Sequence, residues 1–216
     1  MDSYEQGVLT IYNADCMDIM AQYDDNYFDL AVVDPPYGIE RFKKPSGSTR
    51  FGSSEIMQKN GLTWDKKPNK KYFEQLFRVS KNQLIWGANN FQLPPTEYFC
   101  IWNKQQTVNN FASAEYCWVS MGLKKPAKVF KYSIHKHNQI AKIHPTQKPV
   151  PLYAWIYENY AEPGQRIIDT HLGSGSNAIA AHYAKMGEFV GIELDPDYYK
   201  ASIERIKKET RQFSLF

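Results

Sequence analysis

The chain has only three cysteines in 216 residues, and Cys16, Cys100 and Cys117 are too widely spaced for a disulfide framework or a metal-binding pattern. That excludes a small secreted scaffold and a zinc module, predicts no bound metal, and suits a reducing cytosol. No apolar run is long enough to span a bilayer, and Met1-Asp2-Ser3-Tyr4-Glu5 lacks the basic-then-apolar order of a signal peptide. The expectation is a soluble cytoplasmic protein with no membrane partner. Internal repeats are absent, and 43% hydrophobic content over this length fits one sizeable core, so 1–216 reads as a single domain. Acidic residues are missing from the whole stretch 122–148, which holds seven lysines.

What is there centres on Asp34-Pro35-Pro36-Tyr37, at the end of the apolar run Phe28-Asp29-Leu30-Ala31-Val32-Val33. The run reads as a buried strand, and two consecutive prolines stop it. Pro35 biases Asp34 toward extended backbone, which sets the carboxylate at the strand's carboxyl lip, where open α/β sheets bind ligands. The prolines offer carbonyls and no N–H, and Tyr37 adds a flat ring. An acceptor cluster beside an aromatic face suits a planar molecule with an exocyclic amine, such as adenine or cytosine turned out of a duplex.

Around this motif, strands are predicted over 8–12, 28–34, 84–87, 98–102, 114–119, 166–169 and 189–193. Helices are predicted over 17–20, 72–79, 152–160, 177–186 and 197–208. The strand 166–169 runs into Thr170-His171-Leu172-Gly173-Ser174-Gly175-Ser176, then a helix, then a strand ending at Glu193. That βαβ unit points to a doubly wound α/β sheet. The glycines let a ligand approach the backbone, the helix aims N–H groups at it, and Glu193 stands where an acid takes both ribose hydroxyls. The motif is shorter than the three-glycine dinucleotide fingerprint and follows Asp169, so a nicotinamide dinucleotide fits poorly. Asp15 either caps the first helix or reaches into the pocket beyond its strand. Two basic stretches flank the motif, near 38–71 and 122–143. Arg41, Lys43, Lys44 and Arg50 in the first, with Lys124, Lys125 and Lys128 in the second, are the candidates for contacting DNA phosphates.

Taken together, these residues resemble the DNA amino-methyltransferases that modify adenine N6 or cytosine N4. The resemblance rests on Asn13-Ala14-Asp15-Cys16, on Asp34 to Tyr37 with Gly38, and on Ile85-Trp86-Gly87-Ala88-Asn89. It continues through His144-Pro145-Thr146-Gln147-Lys148-Pro149, Asp169 to Ser176, and Gly191-Ile192-Glu193. The Asp-Pro-Pro-Tyr motif precedes the glycine motif, which resembles the permuted order of the β class. The resemblance implies a Rossmann-like mixed sheet of the class I methyltransferase type and S-adenosyl-L-methionine as cofactor. It implies a double-stranded DNA substrate, in a bacterial or phage-infected cell, with Asp34, Pro35, Pro36 and Tyr37 at the chemistry.

By the same resemblance, the cofactor's methionine part would meet Asp34, Thr146, Lys148, Asp169, His171, Gly173, Ser174, Gly175 and Ser176. Glu193 would take the ribose hydroxyls, Asp15 with the Cys16 backbone the adenine, and Leu194 is a further cofactor-binding candidate. The family usually has Asp-Pro-Phe before the glycines, whereas this chain has Asp169-Thr170-His171. Asp rather than Ser in the first position of the catalytic motif favours adenine N6, with cytosine N4 the alternative. A catalytically idle accessory protein is the other alternative, and intact Asp34 and Glu193 argue against it. The ending Gln212-Phe213-Ser214-Leu215-Phe216 resembles the bacterial sliding-clamp-binding peptide, with docking on the chain's own domain equally open. A homodimer is compatible with all of this.

Overall fold

A computed structural model of the chain describes residues 2–38 and 66–211. Arg41, Lys43, Lys44, Arg50 and the terminal Gln212, Phe213, Ser214, Leu215 and Phe216 lie outside the described residues. The strands are β1 (Asp2–Gln6), β2 (Leu9–Asn13), β3 (Phe28–Val33), β4 (Ser80–Trp86), β5 (Phe99–Asn103), β6 (Ala114–Val119), β7 (Lys128–Lys131), β8 (Arg166–Asp169) and β9 (Glu188–Glu193). The helices are α1 (Cys16–Met20), α2 (Lys70–Val79), α3 (Ile134–His137), α4 (Val150–Tyr160), α5 (Ser176–Tyr183) and α6 (Pro196–Glu209).

All the described strands form one mixed sheet in the order β1-β2-β9-β8-β3-β4-β6-β5-β7. Its centre, from β2 to β4, is parallel, and β6 then enters antiparallel between β4 and β5. This is the predicted Rossmann-like, doubly wound architecture. Because strand side chains alternate faces, β3 supplies both cores. Leu30 and Val32 pack with α4, α5 and α6, while Ala31 and Val33 pack with α1 and α2. A central strand covered on both sides has no polar face, which is why β3 is apolar without a break from Leu30 to Val33.

Helix α2 shows how locally the pattern works. Asn69 caps it by accepting from the Tyr72 N–H at 3.2 Å, and Tyr72, Phe73, Leu76 and Val79 turn inward at helical spacing. Each such buried side chain contributes roughly 1.5–3 kcal/mol. The helix ends where Ser80 becomes extended and passes directly into β4.

Three elements depart from expectation. Strand β1 is polar and lies at the sheet's edge, paired antiparallel with β2 through a turn at Gly7, whose φ is +59°. Strand β7, Lys-Val-Phe-Lys, closes the opposite edge against β5, and a short α3 follows it. Both edge strands face solvent and carry charges that discourage further pairing, so neither has the apolar signature of a strand.

Candidate active site

Strands β3 and β8 are parallel neighbours, with Leu30 opposite Ile167 and Ala31 opposite Ile168. Asp34 and Asp169 therefore emerge side by side at the carboxyl end of the sheet, though they are far apart in sequence. Asn177 at the start of α5 ties the two ends. Its Nδ2 donates to the Val32 carbonyl and to Asp169 Oδ2, both at 2.9 Å, and its Oδ1 accepts from the Tyr157 hydroxyl at 2.5 Å.

Asp169 faces inward. Its other oxygen accepts the His171 N–H at 3.1 Å, and burial pushes its carboxyl up to about 7 against the pull of those hydrogen bonds. Its position braces the loop. Thr170, where the family usually has proline, bonds the buried Tyr72 hydroxyl at 2.6 Å. His171 packs edge-on against the Tyr72 ring, and burial lowers its pKa to about 4, so its imidazole is neutral at pH 7.

Gly173 and Gly175 hold φ of +54° and +76° in the turn before α5, a region L side chains rarely adopt. Ser174 and Ser176 are buried and linked to each other, and Arg205 of α6 donates to the Ser174 carbonyl and the Ser176 hydroxyl. Ser176 in turn donates to the Lys148 carbonyl at 2.7 Å, so the glycine loop and the 144–149 segment are one unit. In that segment His144 packs on Tyr198 and Thr146 contacts His144 Nδ1. Burial, aided by the Lys148 charge, lowers the His144 pKa to about 3.

At the tip of β9, Glu193 Oε2 accepts from Gly173 N–H at 2.8 Å and Oε1 from Asp195 N–H at 3.0 Å. Burial raises this carboxyl to about 7. Leu194 is exposed beside it. On the adjacent β2, Asn13 pairs with Glu193 and donates to the carbonyls of Glu193 and Leu194. Asp15 caps α1 by accepting from Met17 N–H at 2.8 Å, and Cys16 is pushed up to about 12, chiefly by burial. Each predicted cofactor residue thus sits at the carboxyl ends of β2, β9, β8 and β3, or on the segment that crosses them.

The Asp34 end is charged. Tyr37 donates its hydroxyl to Asp34 Oδ1 at 2.6 Å, and the Lys148 ammonium bonds Oδ2. Lys148 is buried, with Glu115 Oε2 at 3.2 Å, and Lys104 holds Glu115 Oε1 at 2.5 Å. Burial works to lower the Lys148 pKa, but Asp34 and Glu115 outweigh it and hold it above the ordinary value. The ring of Tyr37 fills the space over Gly87, where a Cβ would lie 2.1 Å from a ring carbon. A cavity of about 390 Å³ opens between Tyr37, Asn89, Lys104, Glu115 and Tyr116.

Sequence patterns missed Glu115, Lys104, Asn177, Tyr72 and Arg205. The one available signal for Glu115 was a lone carboxylate inside the apolar strand Ala114–Val119. Lys124, Lys125 and Lys128 are not brought to the site. Strand β6 runs antiparallel to β4, so Ser120 meets Gln83 and the turn after it carries Lys124 and Lys125 toward the start of β4. Lys128 donates to Asn159 near the end of α4. The expectation that these three lysines flank the pocket is corrected: the strand reversal sends them to the other end of the sheet.

The family model described as DNA methylase, for the N6 and N4 enzymes, matches residues 58–204. The type II methyltransferase M2.MboI of Moraxella bovis is 24% identical, covering 93% of this chain and 88% of its own. The type II methyltransferase M.BglII of Bacillus subtilis is 23% identical over 98% of this chain and 72% of its own. Among solved structures, the M1.HpyAVI–SAM complex superposes with a TM-score of 0.58 at 17% identity, covering 91% of this chain and 99% of that one. The cytosine-N4-specific PvuII DNA methyltransferase gives 0.61 at 12% identity, covering 96% and 88%.

Proposed function

This chain belongs to the N6/N4 DNA methylase family, and on that premise we propose that it methylates the exocyclic amine of a base in double-stranded DNA, adenine N6 before cytosine N4. The observation that carries the reading is the parallel pairing of β3 with β8, which sets Asp34 beside the glycine loop.

The cofactor of this family is S-adenosylmethionine, which supplies a sulfonium methyl already activated for transfer. The residues fit it. Each Glu193 oxygen gives one lone pair to a backbone N–H, leaving another for a ribose hydroxyl. The left-handed glycines let the 173–176 backbone approach closely, and Asp34, Thr146 and Lys148 stand at its methionine side. Asp15, Cys16 and Leu194 border the adenine end. Asp169 and His171 act from below, by holding the loop's shape.

An exocyclic amine has its lone pair delocalised into the ring and is a poor nucleophile. Hydrogen bonds from its two hydrogens to the Asp34 carboxylate and the Pro35 carbonyl favour a pyramidal nitrogen with its lone pair aimed at the donor. Pro36 keeps the turn rigid, and Tyr37 stacks on the flipped base, contributing about 1–3 kcal/mol. That offsets part of the few kcal/mol needed to unstack it. Alignment is most of the catalysis. Asp at position 34, where the family's N4 enzymes often carry Ser, favours adenine. Arg41, Lys43, Lys44 and Arg50 are the proposed phosphate contacts.

The test is incubation with labelled S-adenosylmethionine and unmethylated DNA, followed by mass spectrometry of the nucleosides. N6-methyladenine is the expected product. N4-methylcytosine would move the assignment to the other base, and no methylated base would overturn it.

A further inference from the structure

Both Asp34 oxygens are occupied in this structure, one by the Tyr37 hydroxyl and one by the Lys148 ammonium. Each oxygen keeps a second lone pair, but a base amine that approaches Asp34 along the direction Lys148 holds displaces it from Oδ2. That leaves a buried ammonium in need of a counter-charge, and an uncompensated one costs several kcal/mol. Among the described residues, the other carboxylate within ion-pair reach of Lys148 Nζ is Glu115, whose Oε2 lies 3.2 Å away. That oxygen is buried, and among the described residues it has no partner beyond this ion pair, which lacks hydrogen-bond geometry, so a turn of the ammonium can complete the bond. Its twin Oε1 is held by Lys104, which itself lies 5.1 Å from the centre of the Trp102 ring. Glu115 and Lys104 also wall the 390 Å³ cavity that adjoins Tyr37.

We propose that Glu115 is a positioning residue for methyl transfer: it takes the Lys148 ammonium when the target amine claims Asp34, and Lys104 keeps it aimed for that exchange. The inference rests on the proposed role of Asp34 and adds a step to it. In the resting protein Lys148 stands in for the substrate amine, an N–H donor on the same oxygen. On base entry it pivots between two carboxylates and stays charged throughout, with no covalent bond made or broken.

The experiment compares the full-length wild type, Glu115→Gln and Glu115→Asp in single-turnover methylation of unmethylated DNA with saturating labelled S-adenosylmethionine. The expected result is at least a tenfold lower rate for Glu115→Gln, a cofactor Kd within twofold of wild type, and substantial recovery in Glu115→Asp. A pH profile from 7 to 9 separates this role from a structural one. The groups around Lys148 are Asp34 and Tyr37 beyond β3, Glu115 and Cys117 on β6, and His144 on the crossing segment. The tyrosine and thiol lie well above this window and His144 well below it. In Glu115→Gln, Lys148 leaves Asp34 only by losing its proton, so the rate rises with pH, whereas the wild-type rate stays flat. A Glu115→Gln rate within twofold of wild type, or a tenfold loss with an unchanged profile, would overturn the proposal. Should Glu115→Gln fail to fold, Lys104→Met is read in the same assay, where a threefold or larger loss is expected and an unchanged rate refutes. A wild type that transfers no methyl would instead defeat the underlying functional reading.

Discussion

At the glycine-loop end of the crevice, Asp169 and Glu193 face backbone N–H groups and an asparagine, and burial pushes both carboxyls up to about 7. At the Asp34 end, burial acts on Glu115 in the same direction. Lys148 and then Lys104 outweigh it, and the carboxyl is held below its ordinary value. Two regions of one crevice, lined by the same residue types, thus differ by whether an ammonium is built in. Neutral dipoles lower a buried carboxyl less than a full cation does, because a charge's attraction grows steeply when water is excluded. The glycine-loop end suits a ligand with neutral hydroxyls. The Asp34 end holds its own cation, which on the proposed reading a donor from the substrate replaces.

The largest test of this division is Asp34→Ala. Methyl transfer should fall by roughly 1000-fold, in the range of a lost electrostatic group at a reacting centre, while cofactor binding stays within a few-fold. Equal losses in both would merge the two regions. Glu193→Ala should do the reverse, weakening cofactor affinity roughly 10- to 100-fold by removing charge-assisted hydrogen bonds, as read by isothermal calorimetry. Full retention of affinity would move the ribose site elsewhere.

Gly87→Ala comes next. A Cβ there would press 2.1 Å from the Tyr37 ring at a φ of +64°, so Tyr37 must shift. We expect a loss of about 1–3 kcal/mol by chemical denaturation, with methylation reduced and cofactor affinity nearly intact.

Stability against pH sharpens the contrast by sign. Glu193 has a raised folded-state pKa, so its contribution is present below about 4.5 and is lost as pH rises through about 7. Glu115 has a lowered one, so its contribution is present above its unfolded value near 4.5 and is lost as pH falls. From pH 4.5 to 7, Glu193→Gln should gain stability relative to wild type, whereas Glu115→Gln should stay less stable across that range and close the gap as pH falls below about 4.5. Matching slopes would remove the distinction.

The smallest effect is expected at Lys124, Lys125 and Lys128. Alanine at all three should change DNA affinity less than twofold at 0.15 M salt. A steeper loss would bring the far end of the sheet into the DNA interface.

Much of the site was legible because its signals are local. Consecutive prolines stop a strand wherever they occur, and glycines open a turn by their own steric freedom. Asp15 was readable as a cap from its place before α1, and its Met17 bond bears that out. Lys148 was assigned to the cofactor's methionine end by family likeness, but the position of its ammonium on Asp34 was not readable. Nor was Glu115 recognisable as part of the site, since within its strand it is a single charge with no partner nearby in sequence.

By itself, then, the chain's order of residues determined the strands and helices of the parallel centre, the buried alternation of β3, the lip position of Asp34 and the left-handed loop before α5. These depend on backbone sterics and on periodicities of two and 3.6, which act over a few residues. Tertiary structure alone decided that β3 neighbours β8, that the reversed β6 brings Glu115 to Lys148, and that it carries Lys124 and Lys128 away. Those outcomes depend on which strand edges pair, and pairing is settled by burying two whole faces of the sheet at once.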